Sequence, residues 1–242
     1  LAPENLSGRM MAAYYNGTAG AVTYAVWSAT ASSWSVPPAS LPLNALTGVI
    51  NIVRLKPMPG TNRILLMALD ANSDVSAAVW DGTSWISNQN LTAAASIATK
   101  ECFDGDWETQ TGNAMALWGT GTGTSYRIWR STAAAWETVR TGPNIGAAGA
   151  WLRLAADPST NRIGMTAITA TPSWNVAIWR ATLGTEAWTM STADTSMSSN
   201  AGRITDAAWE SQSGKFMAVA VDDLGANDYQ FDYITWLNGA WS

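Results

Sequence analysis

Histidine is absent from this 242-residue chain, and cysteine occurs once, as Cys102. The first absence removes the commonest general base and the commonest zinc ligand, and with them Ser-His-Asp and Cys-His chemistry. The second excludes an intrachain disulfide. Charge is scarce as well: 13 Lys and Arg against 18 Asp and Glu leave a formal net charge of −5. That balance excludes the basic footprint that nucleic acid requires, and no polybasic segment is present to meet an anionic membrane surface. No apolar run approaches the roughly 18–20 residues of a membrane helix, and no stretch carries a helical period of useful length.

What is present is apolar residues (47%) and tryptophan, 15 in all. With so few charges, the surface must draw its polarity from Ser, Thr, Asn and Gly, a composition expected of a secreted or surface-displayed protein.

The tryptophans expose a repeat. Trp34, Trp85, Trp136, Trp188 and Trp241 are spaced by 51, 51, 52 and 53 residues, and a second series runs Trp27, Trp80, Trp129, Trp179 and Trp236. Around them lie apolar runs of four to nine residues, rich in Val, Ile, Thr, Ala and Trp and bounded by Gly, Pro, Asn, Asp or Ser, as strands are. The connections MPGTN, DPSTN, QTGN and QSGK, and later DGTS and LNGA, are those of antiparallel neighbours. Four short strands about every 50 residues, five times over, predict an all-β β-propeller of about five four-stranded antiparallel blades. One domain is expected over 1–242, with blades at about 1–40, 41–92, 93–143, 144–195 and 196–242. The two Trp series are expected to fill the wide interfaces between blades.

A second-order repeat lies within the first. RLKPMPGTNRI (54–64) matches RLAADPSTNRI (153–163), whereas FDGDWETQTGNAM (103–115) matches TDAAWESQSGKFM (205–217), and APENLSGRMMA (2–12) aligns with AWESQSGKFMA (208–218). Blades one, three and five are therefore of one kind, A, and blades two and four of another, B. One position on the innermost strands reads Arg54, Asp104, Arg153, Asp206, an expected ring of alternating charge around the central channel. Opposite charges on adjacent strands neutralise one another. The equivalent position in blade one would precede Leu1, so the chain is expected to begin part-way through its first inner strand. A closed ring of five would set two A blades side by side. Five blades with one odd joint, six with a further B blade, and a ring completed by another chain all remain open.

No residue set fixes a reaction, so no catalytic or metal-binding residues are assigned. The one grouping suited to chemistry is acidic: Asp104, Asp106 and Glu108 alternate along one strand, and Asp206 and Glu210 recur in the matching blade. Two carboxylates at a set separation are what glycoside hydrolysis needs; the alternatives are a bound hard cation, and pairing with Arg54, Arg153, Arg63 and Arg162 or simple solvation. VDDLGANDYQFD (221–232) gathers Asp222, Asp223, Asp228 and Asp232 around Gly225 and Asn227. Ca²⁺ is the one ion considered there, although the spacing is not that of a calcium loop. GTGTGT (119–124) lies between strands with no helix after it, so a phosphate-binding reading fails. Cys102 lies beside the inner-strand acids, which are expected to raise its thiol pKa.

VWDGTSW at 79–85, echoed by TWLNGAW at 235–241, resembles the strand pairs of tandem-repeat propellers in bacterial and archaeal extracellular surface proteins of pilin-like or adhesin-like kind. It also resembles, more weakly, the Trp-Asp-Gly-x-x-Trp pairs of lectin propellers, including fucose-binding ones. The latter carry a recurring Arg, Glu and Trp set between blades; here the third-strand Trp recurs but no Arg–Glu pair accompanies it in every unit, so no sugar ligands are carried over. The resulting expectation is a non-enzymatic extracellular or cell-surface module for adhesion or assembly, for instance a filament subunit. Its partners would be copies of itself or surface glycans and proteins. A multivalent carbohydrate-binding lectin is the alternative, and a glycosidase acting at the channel a third.

Overall fold

The computed structural model describes residues 1–180, 186–197, 202–223 and 229–242, and among these there is no helix. Five antiparallel sheets follow one another along the chain, each with its strands in sequence order from innermost to outermost. The protein is a β-propeller. Blade one comprises Ala2–Pro3, Met10–Tyr14, Ala21–Ser28 and Ser33–Trp34; blade two Ile50–Pro57, Ile64–Asp70, Val75–Trp80 and Trp85–Thr92. Blade three comprises Phe103–Trp107, Ala114–Gly119, Thr124–Arg130 and Ala135–Trp136; blade four Gly149–Ala156, Ile163–Thr169, Trp174–Arg180 and Ala187–Asp194. Thr205–Trp209, Phe216–Asp223, Tyr229–Leu237 and Ala240–Trp241 make blade five.

The two tryptophan series meet in register. Trp27 stands directly opposite Trp34, Trp80 opposite Trp85, Trp129 opposite Trp136, Trp179 opposite Trp188, and Trp236 opposite Trp241. The first two pairs are edge-on, with ring centroids 5.7 and 5.4 Å apart. Such a pair adds about 0.5–1.5 kcal/mol beyond the area it buries, and it clasps the start of the outer strand to its neighbour.

The two kinds of blade differ at that outer strand. In B blades it runs unbroken, as Trp85–Thr92 and Ala187–Asp194. In blades one and three it stops after the Trp and resumes as Ala39–Pro42 and Arg140–Thr141. In blade one the interruption holds Pro37 and Pro38, which have no N–H to give a ladder.

Adjacent blades pack face to face, each joint with its own core. Met11, Ile64 and Trp80 fill the first joint, and Leu65, Trp107, Trp118 and Trp129 the second. Met115, Leu117, Leu154 and Met165 fill the third, and Ile168, Trp174, Phe216 and Trp236 the fourth. Among the described residues no comparable contact joins blade five to blade one.

Candidate functional site

The innermost strands surround a central cavity of about 350 Å³, lined by Arg54, Lys56, Asp104, Asp106, Arg153, Arg203 and Asp206. Arg54 Nη2 is 3.3 Å from Asp104 Oδ1, and Lys56 Nζ is 2.8 Å from Asp106 Oδ2. Arg153 pairs with Glu101, and the exposed Arg203 and Asp206 approach to 3.4 Å. The acids of blade three also reach forward: Asp104 Oδ2 accepts from the Leu154 N–H and Asp106 Oδ2 from the Ala156 N–H, both at 2.9 Å.

Burial pushes the Asp106 carboxyl above the usual carboxylate range, against the pull of Lys56. Burial alone would lower the Lys56 amine, but Asp106 and Asp104 outweigh it and the net shift is upward. Arg153 is brought down to about 9 by its burial, with Arg54 and Arg203 adding to the fall. Asp104 and Asp106 are thus engaged with cations and backbone N–H groups, which joins neighbouring blades.

Glu108 and Glu210 are not placed beside them as the expected strand alternation requires. The strand ends at Trp107, and Glu108 opens the turn that follows. Its carboxylate accepts from Thr111 Oγ1 and, at 3.1 Å, from Asn113 Nδ2; burial raises its pKa first and foremost. The same clamp recurs. Glu4 holds Ser7 at 2.5 Å, Asp157 holds Thr160 at 2.7 Å, and Glu210 holds Ser213. Nor do Arg63 and Arg162 pair with the channel acids. Arg162 binds Asp157 at 2.5 Å and lies 4.9 Å over Trp209, and Arg63 lies 5.4 Å over Trp129.

Cys102 is fully buried, its thiol donating to the Ile97 carbonyl at 3.2 Å. Its pKa is raised, but by burial rather than by neighbouring acids. GTGTGT closes a hairpin, with Thr120 N–H donating to Gly123 O at 2.8 Å. Of the acidic segment considered for Ca²⁺, Gly225, Asn227, Asp228 and the Asp223 side chain lie outside the described residues. Asp222 and Asp232 come within 4.8 Å of each other and of Asp194, and an acidic group of this kind does not by itself define a cation site.

A second polar group lies at the outer end of the joint between blades three and four. Arg130 is 2.5 Å from Glu137 and 2.7 Å from Glu186. Arg140 is 2.6 Å from Glu137 and also pairs with Glu186. Two cations and two carboxylates, all between 17% and 34% exposed, form a half-buried network. Attraction to both arginines carries the Glu137 carboxyl below its ordinary pKa, overcoming the effect of burial. Glu186 lies two residues before Trp188, whose ring meets Tyr126 edge-on at 5.8 Å. Sequence reasoning missed this set because it occurs in one joint only: Ser28 and Leu237 stand at the position of Arg130 in the other A blades.

No protein-family model matches the chain, and no curated protein sequence matches it. Solved structures do. BP39L lectin from Burkholderia pseudomallei is 15% identical with a TM-score of 0.65, over 100% of this chain and 67% of that one. AofleA from Arthrobotrys oligospora is 10% identical with a TM-score of 0.56, over 97% and 67%. Aleuria aurantia lectin, as a variant in complex with Fucα1-6GlcNAc, is 10% identical with a TM-score of 0.52, over 99% and 75%. At such identities the likeness is one of fold.

These matches correct the functional expectation. The lectin-propeller resemblance carried by VWDGTSW is supported and the pilin-like or adhesin-like one is not, so the adhesion or filament-subunit reading gives way to its alternative. The physical reason is that paired indoles and turn spacing are what blade packing demands of any such propeller. They held no information about adhesion. No helix among the described residues is long and apolar enough to cross a membrane.

Proposed function

We propose that the protein is a carbohydrate-binding β-propeller, and that the outer end of the joint between blades three and four holds the sugar. The observation that carries this reading is the network of Arg130, Glu137, Arg140 and Glu186 beside Trp188 and Tyr126. A sugar hydroxyl both donates and accepts. Guanidinium groups supply donors in a fixed fork and carboxylates supply acceptors, and hydrogen bonds with a charged partner are the stronger kind. The ion pairs hold each side chain in place before a ligand arrives, which lowers the entropic cost of binding. The half-buried Trp188, backed edge-on by the buried Tyr126, gives the network an apolar neighbour.

The fold shared with lectins supports the same reading. Because the set occurs once, we assign one sugar site here rather than a ring of equivalent ones. The low charge content fits a protein that meets glycans outside the cell.

The test is a glycan array probed with the full chain, followed by calorimetry on the best hit, with L-fucose in the panel because a structural neighbour was solved with a fucoside. Arg130→Ala and Glu186→Gln are expected to weaken binding at least about tenfold, the loss of one to two charge-assisted hydrogen bonds. Retention of no glycan, or undiminished binding by both variants, would overturn the assignment.

A further inference from the structure

In A blades, one face of the sheet is built to meet the B blade that follows. Met115 and Leu117 of blade three stand opposite Ile128 and Tyr126; all four are at most 4% exposed against blade four. Tyr126 touches Trp188 edge-on, and Tyr24 of blade one likewise meets Trp85 of blade two at 5.6 Å. In blade five the same positions are Met217, Val219, Thr235 and Tyr233, in the same register. There Tyr233 is 68% exposed and Met217 43%, with Phe231 at 78% beside them.

The polar link is unmade as well. Asp104 accepts the Leu154 N–H of the next blade. Asp206, at the same position of blade five, meets its own neighbour's N–H and Arg203, and its side chain is 64% exposed. The backward links of blade five are complete: Trp209 Nε1 donates to Ala155 O at 2.7 Å, as Trp107 does to Lys56 O.

The opposite face of blade one is bare in the complementary way. Met10 and Tyr14 are 37% and 43% exposed. Their equivalents Phe216 and Trp118, in blades five and three, are at most 2% exposed against a preceding B blade.

We propose that blade five and blade one together form a docking site for one further β-sheet of the B kind. The occupant is a polypeptide sheet with a basic residue on its innermost strand, facing Asp206, and a tryptophan on its outer strand, facing Tyr233. Continuity with the four existing joints fixes its orientation. Charge complementarity favours a B sheet over a second copy of this chain, because head-to-tail stacking would set A against A.

The test appends a copy of residues 144–195, a B blade, after Ser242 of the full chain. Peptide mapping after peroxide treatment then follows methionine oxidation, which tracks exposure. Met10 and Met217 are expected to oxidise about tenfold more slowly in the fusion, while Met190, exposed on an outer strand, stays reactive. The melting temperature is expected to rise by about 5 °C or more. A fusion carrying residues 93–143, an A blade, should produce neither change. Equal protection by both fusions, or none by either, overturns the proposal. So does an unfused chain that runs as a dimer in native mass spectrometry with Met217 already protected. Where a fusion does not fold, the unfused chain decides. Tyr126→Ala should lower the melting temperature by more than about 5 °C and Tyr233→Ala by less than about 1 °C; equal losses would show the face already covered.

Discussion

Asp104 Oδ2 accepts a hydrogen bond of 2.9 Å from the backbone N–H of Leu154, 50 residues on and one blade away. Its other oxygen faces Arg54 at 3.3 Å in the blade before, so one carboxylate joins three sheets. Asp104→Ala leaves the Leu154 N–H buried without an acceptor, a loss of about 1–3 kcal/mol. For a chain of this size that lowers the melting temperature by roughly 2–4 °C per kcal/mol. Asp104→Asn keeps an acceptor and should lose clearly less. Equal losses in thermal denaturation would show that the hydrogen bond is not what matters.

Acid should act through Asp157. Its buried carboxylate accepts from Ser159, Thr160 and Arg162. These bonds outweigh burial and leave its pKa below the ordinary 3.8. A carboxyl depressed in the folded state contributes stability that is present above the unfolded pKa and is lost as pH falls through the folded value. Urea titrations of Asp157→Asn should therefore show a lower plateau near neutrality and a shallower decline below about pH 4. A variant whose stability declines with acid as steeply as the parent would refute this.

Gly164 lies under the ring of Phe216, where an added Cβ would collide with the Cδ2–Cε2 edge. Both residues are in the joint of blades four and five, and Phe216 is fully buried. Gly164→Ala is expected to destabilise by about 1–3 kcal/mol through overpacking. Adding Phe216→Leu should recover part of it, a non-additivity that a double-mutant cycle measures.

The thiol of Cys102 should be silent in the native protein. It is inaccessible, and burial raises its pKa, so the reactive thiolate is disfavoured on both counts. A thiol reagent at pH 8 is expected to label it only at the rate of unfolding, and fully in denaturant. Fast labelling of the folded chain would mean that the loop over Ile97 opens.

Much of the architecture was legible because repetition and packing ask for the same residues. Trp179 and Trp188 must meet across two strands in every blade, so their spacing survives in the sequence as a period. Strand ends were less legible. Glu108 reads as a third member of the Asp104 and Asp106 series, but alternation holds only while the strand lasts, and Trp107 is its last residue. The innermost strand of blade one, Ala2–Pro3, was legible only through its alignment with the other A blades, since two residues carry no pattern of their own. Arg130 and Glu186 were illegible for the opposite reason. They are 56 residues apart, meet only across a joint, and have no echo in other blades, so a search for repetition passes over them.

The reach of Asp104 forward to Leu154 and of Trp107 back to Lys56 bears on how such a chain can grow. Blade three is matched to B neighbours on both flanks, so a second A blade inserted beside it would set a carboxylate against a carboxylate. Duplicating an adjacent pair preserves every joint. The smallest stretch that carries a complete set of joint contacts is therefore a doublet of about a hundred residues, within the ordinary size of a domain.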